Sequence, residues 1–201
     1  MKNYSYIGKY SDKTPPFIGT LTLVLVLVFV YLIGMIFFPF NLFIQSPIFI
    51  SEFGQDNALI FRGELFRLIT AMLIHANIIH LISNILFLLI FGMRLEEIRS
   101  SKEVIIIFIL GGLIGNCASI LWFFFSINFI SLGASGAIFA LLGAIFHSIP
   151  KKSKHERRKI GYLLIIFFLI TIGNDTNVIA HFLGFCGGIW TSIFLSRILK
   201  Q

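Results

Sequence analysis

A serine and a histidine stand inside strongly apolar segments of this chain, where polar side chains are costly and therefore indicate function. Ser135 lies in the segment Gly-Ala-Ser-Gly, and His181 follows Ala180 in a second apolar segment. A serine hydroxyl is a weak nucleophile until a neighbouring base takes its proton. Histidine suits that task, because a reference pKa of about 6.5 leaves it neutral yet able to accept a proton. The two residues predict a Ser135–His181 dyad for acyl transfer within a lipid bilayer.

Acyl transfer also needs hydrogen-bond donors aimed at the developing oxyanion. Ser135 is predicted at a helix N-terminus, where the first backbone N–H groups have no intrahelical partner, so the Ser135 backbone N–H can serve. His80 and Asn84 lie four residues apart, which places them on one helix face with side chains that can add donors. The acidic residue nearest to His181 in the sequence is Asp175, in a predicted outer loop. We therefore expect a dyad rather than a triad.

The composition indicates a membrane protein. The chain has 201 residues, of which 57% are hydrophobic and 12% charged, whereas soluble domains are roughly 25% charged. The 16 lysines and arginines exceed the 9 acidic residues, but they cluster between the apolar segments in a pattern typical of membrane topology. The expected partner is the lipid bilayer, and no nucleic acid is expected.

Uncharged stretches predict six transmembrane helices, since a helix needs about 20 residues to cross about 30 Å of hydrocarbon. The predicted spans cover residues 17–39, 78–93, 104–125, 135–147, 160–172 and 176–196. Together they predict an all-α, polytopic membrane protein with a single six-helix domain over residues 17–198. Residues 41–67 are predicted to form a long loop, and the fourth and fifth spans are predicted to be short.

Basic residues mark one side of the predicted bundle: they precede the first span, separate the fourth from the fifth, and follow the sixth. The positive-inside rule places that side, with the tails 1–16 and 199–201, in the cytoplasm. The four polar candidates His80, Asn84, Ser135 and His181 then share the outer half of the membrane. The short N-terminal tail favours a prokaryotic plasma membrane.

Small residues at four-residue spacing predict close helix contacts. The fourth span carries Gly136 and Ala140, and the sixth carries Gly184 and Gly188. The two glycines of the sixth span follow His181 by three and seven residues, so they share roughly its face. This arrangement would press the histidine against the serine of the fourth span.

These motifs resemble the rhomboid family of intramembrane serine proteases in its basic six-helix form. The resemblance covers about residues 64–188 and rests on three motifs: Gly133-Ala-Ser135-Gly, Ala180-His181-x-x-Gly184-x-x-x-Gly188 and His75-x4-His80-x3-Asn84. It implies a Ser135 nucleophile, a His181 base and oxyanion donors at His80 and Asn84. Arg67 and Glu96 also match family positions, where they have structural roles.

Two positions depart from the family pattern. Phe66 precedes Arg67 where the family often has tryptophan, and Phe139 stands where an aromatic residue, often tyrosine, supports the histidine ring. A phenyl ring can still stack on imidazole, but it lacks the hydroxyl. The resemblance implies single-span membrane protein substrates with small residues at the cut and a helix that unwinds easily. No cofactor is expected.

Three alternatives compete with proteolysis. A non-catalytic rhomboid-like protein that binds membrane clients would need neither Ser135 nor His181. A small transporter would place polar residues in both halves of the bilayer. A metal site of His75, His80 and His181 is disfavoured, because no His-Glu-x-x-His motif and no neighbouring carboxylate accompany them. The oligomeric state stays open.

Overall fold

A computed structural model describes residues 17–38, 41, 43–121, 130–150, 152–171 and 177–198. Within these ranges the regular structure is helical, apart from two isolated antiparallel bridge pairs. In chain order the described helices are α1 (Ile18–Phe37), α2 (Pro47–Phe53), α3 (Asn57–Phe61), α4 (Arg67–Thr70), α5 (Ile78–Glu96), α6 (Ser101–Ser119), α7 (Ser135–Ser148), α8 (Lys154–Thr171) and α9 (Val178–Ile198). Four of them, α1, α5, α6 and α9, are long and apolar enough to cross a membrane. The predicted all-α, polytopic membrane fold is confirmed.

The six longest described helices overlap the residue ranges of the six predicted spans, with differences at their ends. Helix α5 extends three residues beyond its predicted end, and α6 begins three residues before its predicted start. Residues 39, 122–125, 172 and 176 of the predicted spans lie outside the described residues, as do the predicted tails 1–16 and 199–201.

Helix α5 extends to Glu96 because the carboxylate of this residue is buried and both of its oxygens accept hydrogen bonds. It accepts hydrogen bonds from the backbone N–H groups of Gly19 and Thr20, both at 2.9 Å, and from the Thr20 hydroxyl at 2.6 Å. These donors belong to the first turn of α1, whose N–H groups lack intrahelical partners and attract negative charge. The Glu96 carboxylate therefore links the end of α5 to the start of α1, and its charge does not mark the end of the membrane helix. Helix α6 begins early because Ser100 and Glu103 form a capping box.

Helix α8 is longer than predicted, because the basic residues after 153 form its first turns instead of a loop. Lysine, arginine and glutamate are good helix formers, so charge alone does not end a helix. Of its 18 residues, only Ile160 and Phe167 are buried. Helix α8 is thus long but loosely held.

The predicted long loop is partly helical, since residues 41–67 contain α2 and α3. Arg67, only 3% exposed, ties this segment together. Its guanidinium donates to the carbonyl oxygens of Ser51 and Gly54 at 2.7 and 2.9 Å, and to the Glu64 carboxylate at 2.7 Å. The segment is a packed cap rather than a free loop.

Helix α7 lies at the centre of the bundle, where it contacts both α6 and α9. Every residue from Gly136 to Ile145 is buried. A β-carbon placed on Gly184 or Gly188 of α9 would collide with the carbonyl oxygen of Gly136 or Ala140 on α7. The small-residue faces read from the sequence are thus in direct contact, and this contact brings the two helices that carry Ser135 and His181 together.

Candidate active site

Ser135 is the first residue of α7, and His181 lies in the first turn of α9. The Ser135 Oγ and the His181 Nε2 are 2.7 Å apart, a normal hydrogen-bond distance for these groups. With the ring proton on Nδ1, the hydroxyl donates to Nε2, which is the geometry a base needs to activate a nucleophile. Ser135 and His181 are 46 residues apart in the chain, so only the packing of α7 on α9 makes this contact.

Gly133 allows the chain to turn sharply into α7. Its φ of 109° lies in the region that favours glycine, and its N–H donates to the Ala71 carbonyl at 2.8 Å. A β-carbon at this position would lie 2.8 Å from the Cε1 and Nε2 atoms of His80. Gly133 therefore both shapes the turn before Ser135 and makes room for the His80 ring.

Donors for an oxyanion surround the serine. The N–H groups of Ser135 and Gly136 belong to the first turn of α7 and have no intrahelical acceptor. His80 and Asn84 project from the first turns of α5 and line the same cavity of about 200 Å³ as Ser135 and His181. The Asn84 Nδ2 donates to the His80 carbonyl at 2.8 Å, which leaves its second amide hydrogen available. The structure therefore brings all four predicted polar residues together.

Phe139, one helical turn after Ser135, stacks on the imidazole of His181, with ring centroids 4.6 Å apart. Phe167 of α8 contacts the Phe139 ring, at 4.4 Å, and also contacts Phe87 of α5, at 4.2 Å. Phe167 could not be identified from the sequence, because nothing separates it from the other members of a set of 24 phenylalanines. The histidine thus belongs to an aromatic stack that reaches α8.

His75, for which the sequence predicted no catalytic role, packs against His80. Its side chain has no exposed surface, and its ring stands edge-on to the His80 ring with centroids 5.1 Å apart. In the sequence, the motif His75-x4-His80-x3-Asn84 is the feature that could have indicated this contact. His147 lies elsewhere, at the opposite end of α7, where its Nδ1 is 3.0 Å from the Ser192 hydroxyl.

Within the described ranges, no group of three or more His, Cys, Asp or Glu side chains is arranged to hold a metal ion. A hydroxyl, a base in hydrogen-bond contact with it and several convergent N–H donors form the constellation that acyl transfer requires.

The fold and the site define a polytopic helical membrane protein with a serine–histidine pair in a cavity between its helices. The family model described as Rhomboid domain matches residues 62–198, well over half of the chain. This protein belongs to the rhomboid family.

Three relatives illustrate the similarity. Rhomboid protease GluP of Bacillus subtilis (strain 168) is 34% identical over 147 residues, which are 71% of this chain and 28% of that protein. Putative rhomboid protease YdcA of the same organism is 30% identical over 135 residues, 65% of this chain and 67% of that protein. RHOMBOID-like protein 6, mitochondrial, of Arabidopsis thaliana is 36% identical over 139 residues, 68% of this chain and 44% of that protein. The chain thus spans less than half of two relatives and two thirds of the third.

Proposed function

We propose that this protein is an intramembrane serine endopeptidase that cleaves membrane proteins through a Ser135–His181 dyad. The observation that carries the proposal is the 2.7 Å contact between the Ser135 Oγ and the His181 Nε2, in a cavity that His80 and Asn84 also line. Membership of a family with relatives named as proteases supports the same activity. A protein that only binds clients would need no nucleophile in contact with a base.

The proposed reaction begins when the Ser135 Oγ attacks the carbonyl carbon of the scissile peptide bond and the His181 Nε2 takes the hydroxyl proton. The carbonyl oxygen becomes an oxyanion, which the Ser135 N–H, His80 and Asn84 stabilise by hydrogen bonds. His181 then gives its proton to the leaving amine, and an acyl-enzyme remains. Water, deprotonated by His181, attacks this ester and regenerates the serine.

The proposed dyad works without a carboxylate beside the base. Among the described residues, the buried Nδ1 of His181 has no hydrogen-bond partner. The Phe139 ring instead lies against the imidazole face, where it fixes the ring plane. An aromatic face also attracts the positive charge that His181 gains in each step, a contact worth about 0.5–2 kcal/mol.

The proposed substrates are single-span membrane proteins, cut near the outer face of the cell membrane. The basic residues, which predict that both termini are cytoplasmic, support this orientation. The position of Ser135 at the opposite end of α7 from His147 supports it as well. A helical peptide bond is shielded by its own hydrogen bonds, so the substrate helix must unwind locally before Ser135 can reach a carbonyl.

The first experiment compares the purified wild type with Ser135→Ala and His181→Ala in liposomes that contain a single-span reporter protein. We expect cleavage by the wild type and none by either variant, with all three folded by circular dichroism. His147→Ala is the matched control, since its ring lies at the far end of α7, and it should cleave. Cleavage that survives Ser135→Ala would refute the dyad, and a folded wild type that cleaves no reporter would favour client binding.

Substrate entry is proposed to occur between α5 and α8. Helix α8 is held by few buried side chains, and Phe87 of α5 and Phe167 of α8 line the same cavity as the proposed dyad. We therefore propose that α8 is a lateral gate. Cysteines in place of Phe87 and Phe167, joined by a short reducible thiol cross-linker in a Cys117→Ala/Cys186→Ala background, should block cleavage until the linker is reduced. Unchanged cleavage in the cross-linked protein would exclude the gate.

A further inference from the structure

A second pair of hydrogen-bonded side chains joins the two segments that carry Ser135 and His181. The Asn177 Nδ2 donates to the Ser131 Oγ at 3.0 Å. Ser131 precedes Ser135 by four residues, and Asn177 precedes His181 by four, so each contact joins residues 46 positions apart. Two side-chain contacts with the same residue offset therefore join the two segments. The Asn177–Ser131 contact is called the tie below.

The nucleophile segment is anchored at Ser131 by Gln55. The Gln55 N–H donates to the Ser131 carbonyl at 2.9 Å, and the Ser131 N–H donates to the Gln55 carbonyl at 3.1 Å. Gln55 has no exposed surface, and its Nε2 donates to the Asn116 carbonyl at 2.9 Å and to the Ser119 hydroxyl at 2.6 Å. The Ser131 backbone is thus fixed to the end of α6.

The base segment is anchored at Asn177. Its Oδ1 accepts from the Ala180 N–H at 3.0 Å, and its carbonyl accepts from the His181 N–H at 3.2 Å. This is the N-cap pattern, which fixes the start of a helix. Because His181 lies in that first turn, the position of the cap sets the direction in which the imidazole points.

We infer that Asn177 is a positioning residue, which through Ser131 holds His181 in reach of Ser135 while a substrate reacts. The inference rests on the proposed dyad. The Ser135–His181 hydrogen bond cannot hold the segments throughout, because it breaks when the oxygen bonds to the substrate carbon. The Asn177–Ser131 contact takes no part in the chemistry. Both residues line the cavity that a substrate would enter, where the tie resists separation of the two segments.

Two substitutions remove the tie from either side. Asn177→Ser keeps an N-cap oxygen but is too short to reach Ser131, while Ser131→Ala keeps the cap and removes the acceptor. Each should lower kcat about 10- to 100-fold, the effect of a small misplacement of reacting groups, with KM changed less than about twofold. Because both substitutions remove the same Asn177–Ser131 contact, the double variant should be no slower than the slower single variant.

Three further measurements separate positioning from a general structural role. The rate at which a fluorophosphonate labels Ser135 should fall in parallel with kcat. Ser131→Thr keeps the hydroxyl and should restore kcat to within about threefold of the wild type. Asn41→Ser is the matched control, since it shortens another loop amide, whose Oδ1 accepts from the Phe43 N–H at 2.8 Å, and should leave kcat unchanged.

The inference is overturned if Asn177→Ser and Ser131→Ala both keep the wild-type kcat, if their losses multiply in the double variant, or if the unfolded fraction accounts for the loss. A wild type that cleaves while Asn177→Ser is equally active would refute only the positioning role. A folded wild type that neither cleaves nor reacts with the fluorophosphonate would refute the dyad, and this inference with it.

Discussion

The ring of Phe139 lies face to face with the ring of His181, with the two planes inclined by only 27°. Phe139 is 1% exposed, and on α7 it follows Ser135 by one turn. Helix α7, which carries the proposed nucleophile, therefore also carries the ring that contacts the proposed base. One helix thus helps to set both positions, together with the Asn177–Ser131 contact.

Replacing Phe139 by leucine should lower kcat while leaving the protein folded. Leucine fills much of the volume, so we expect a loss of about 1–2 kcal/mol in the free energy of unfolding, but without the flat ring the imidazole can turn. We expect kcat to fall about tenfold. The matched control is Phe108→Leu, since Phe108 is equally buried on α6 and does not touch His181. Equal kcat values in the two variants would contradict a support role for Phe139.

Gly133→Ala should displace His80. The substitution adds backbone strain at a φ of 109° and a β-carbon 2.8 Å from the His80 ring. His80 is a proposed oxyanion donor, and loss of one such donor costs about 100- to 1000-fold in kcat. We therefore expect a fall of at least that order. Gly63→Ala is a sharp control, since Gly63 has a φ of 105° but nothing within 4 Å of its β-carbon position. If both variants lost the same activity, strain rather than the His80 contact would be the cause.

Gly184→Ala should force α9 away from α7. The added methyl group would meet the Gly136 carbonyl, next to the nucleophile. Overpacking of this kind costs about 1–3 kcal/mol, so we expect a lower unfolding temperature together with a loss of cleavage. Gly161→Ala on α8, with nothing within 4 Å, should instead leave activity intact and slightly raise stability, because alanine favours helix. A fully active Gly184→Ala would show that the helices tolerate a wider spacing.

Glu96→Gln should weaken the fold without changing the chemistry. The amide replaces one of two carboxylate oxygens that accept hydrogen bonds from α1, and a buried donor left unsatisfied costs about 1–3 kcal/mol. We expect a lower unfolding temperature and an unchanged kcat for the folded fraction. Glu97→Gln breaks an exposed ion pair with Arg94, which is worth about 0–1 kcal/mol. Equal stability losses in the two variants would contradict the special role of Glu96.

The sequence could predict the fold class and the grouping of Ser135 with His181, because polar groups in apolar segments are few and each needs a reason. It predicted the helix ends less well where charged residues were taken as boundaries. Glu96 continues α5 because α1 satisfies its charge, a contact that joins residues 76 and 77 positions apart. Such a partner is visible only in three dimensions.

The tie between Asn177 and Ser131 could not be read from the sequence for a different reason. Both residues lie just outside helices, in segments without periodicity, where asparagine and serine are common turn residues. Their contact exists only because α7 and α9 pack in one register. Phe167 could not be distinguished from the many other phenylalanines, since an aromatic residue on a membrane helix usually faces lipid.

The order of the helices along the chain has a consequence for synthesis. Helix α9 follows every other described helix and carries His181, while Ser135 is on α7. A chain that has emerged from the ribosome only as far as α8 holds a serine without its base. Under the proposed dyad, a newly made molecule therefore stays inert beside other nascent membrane proteins until α9 has been inserted.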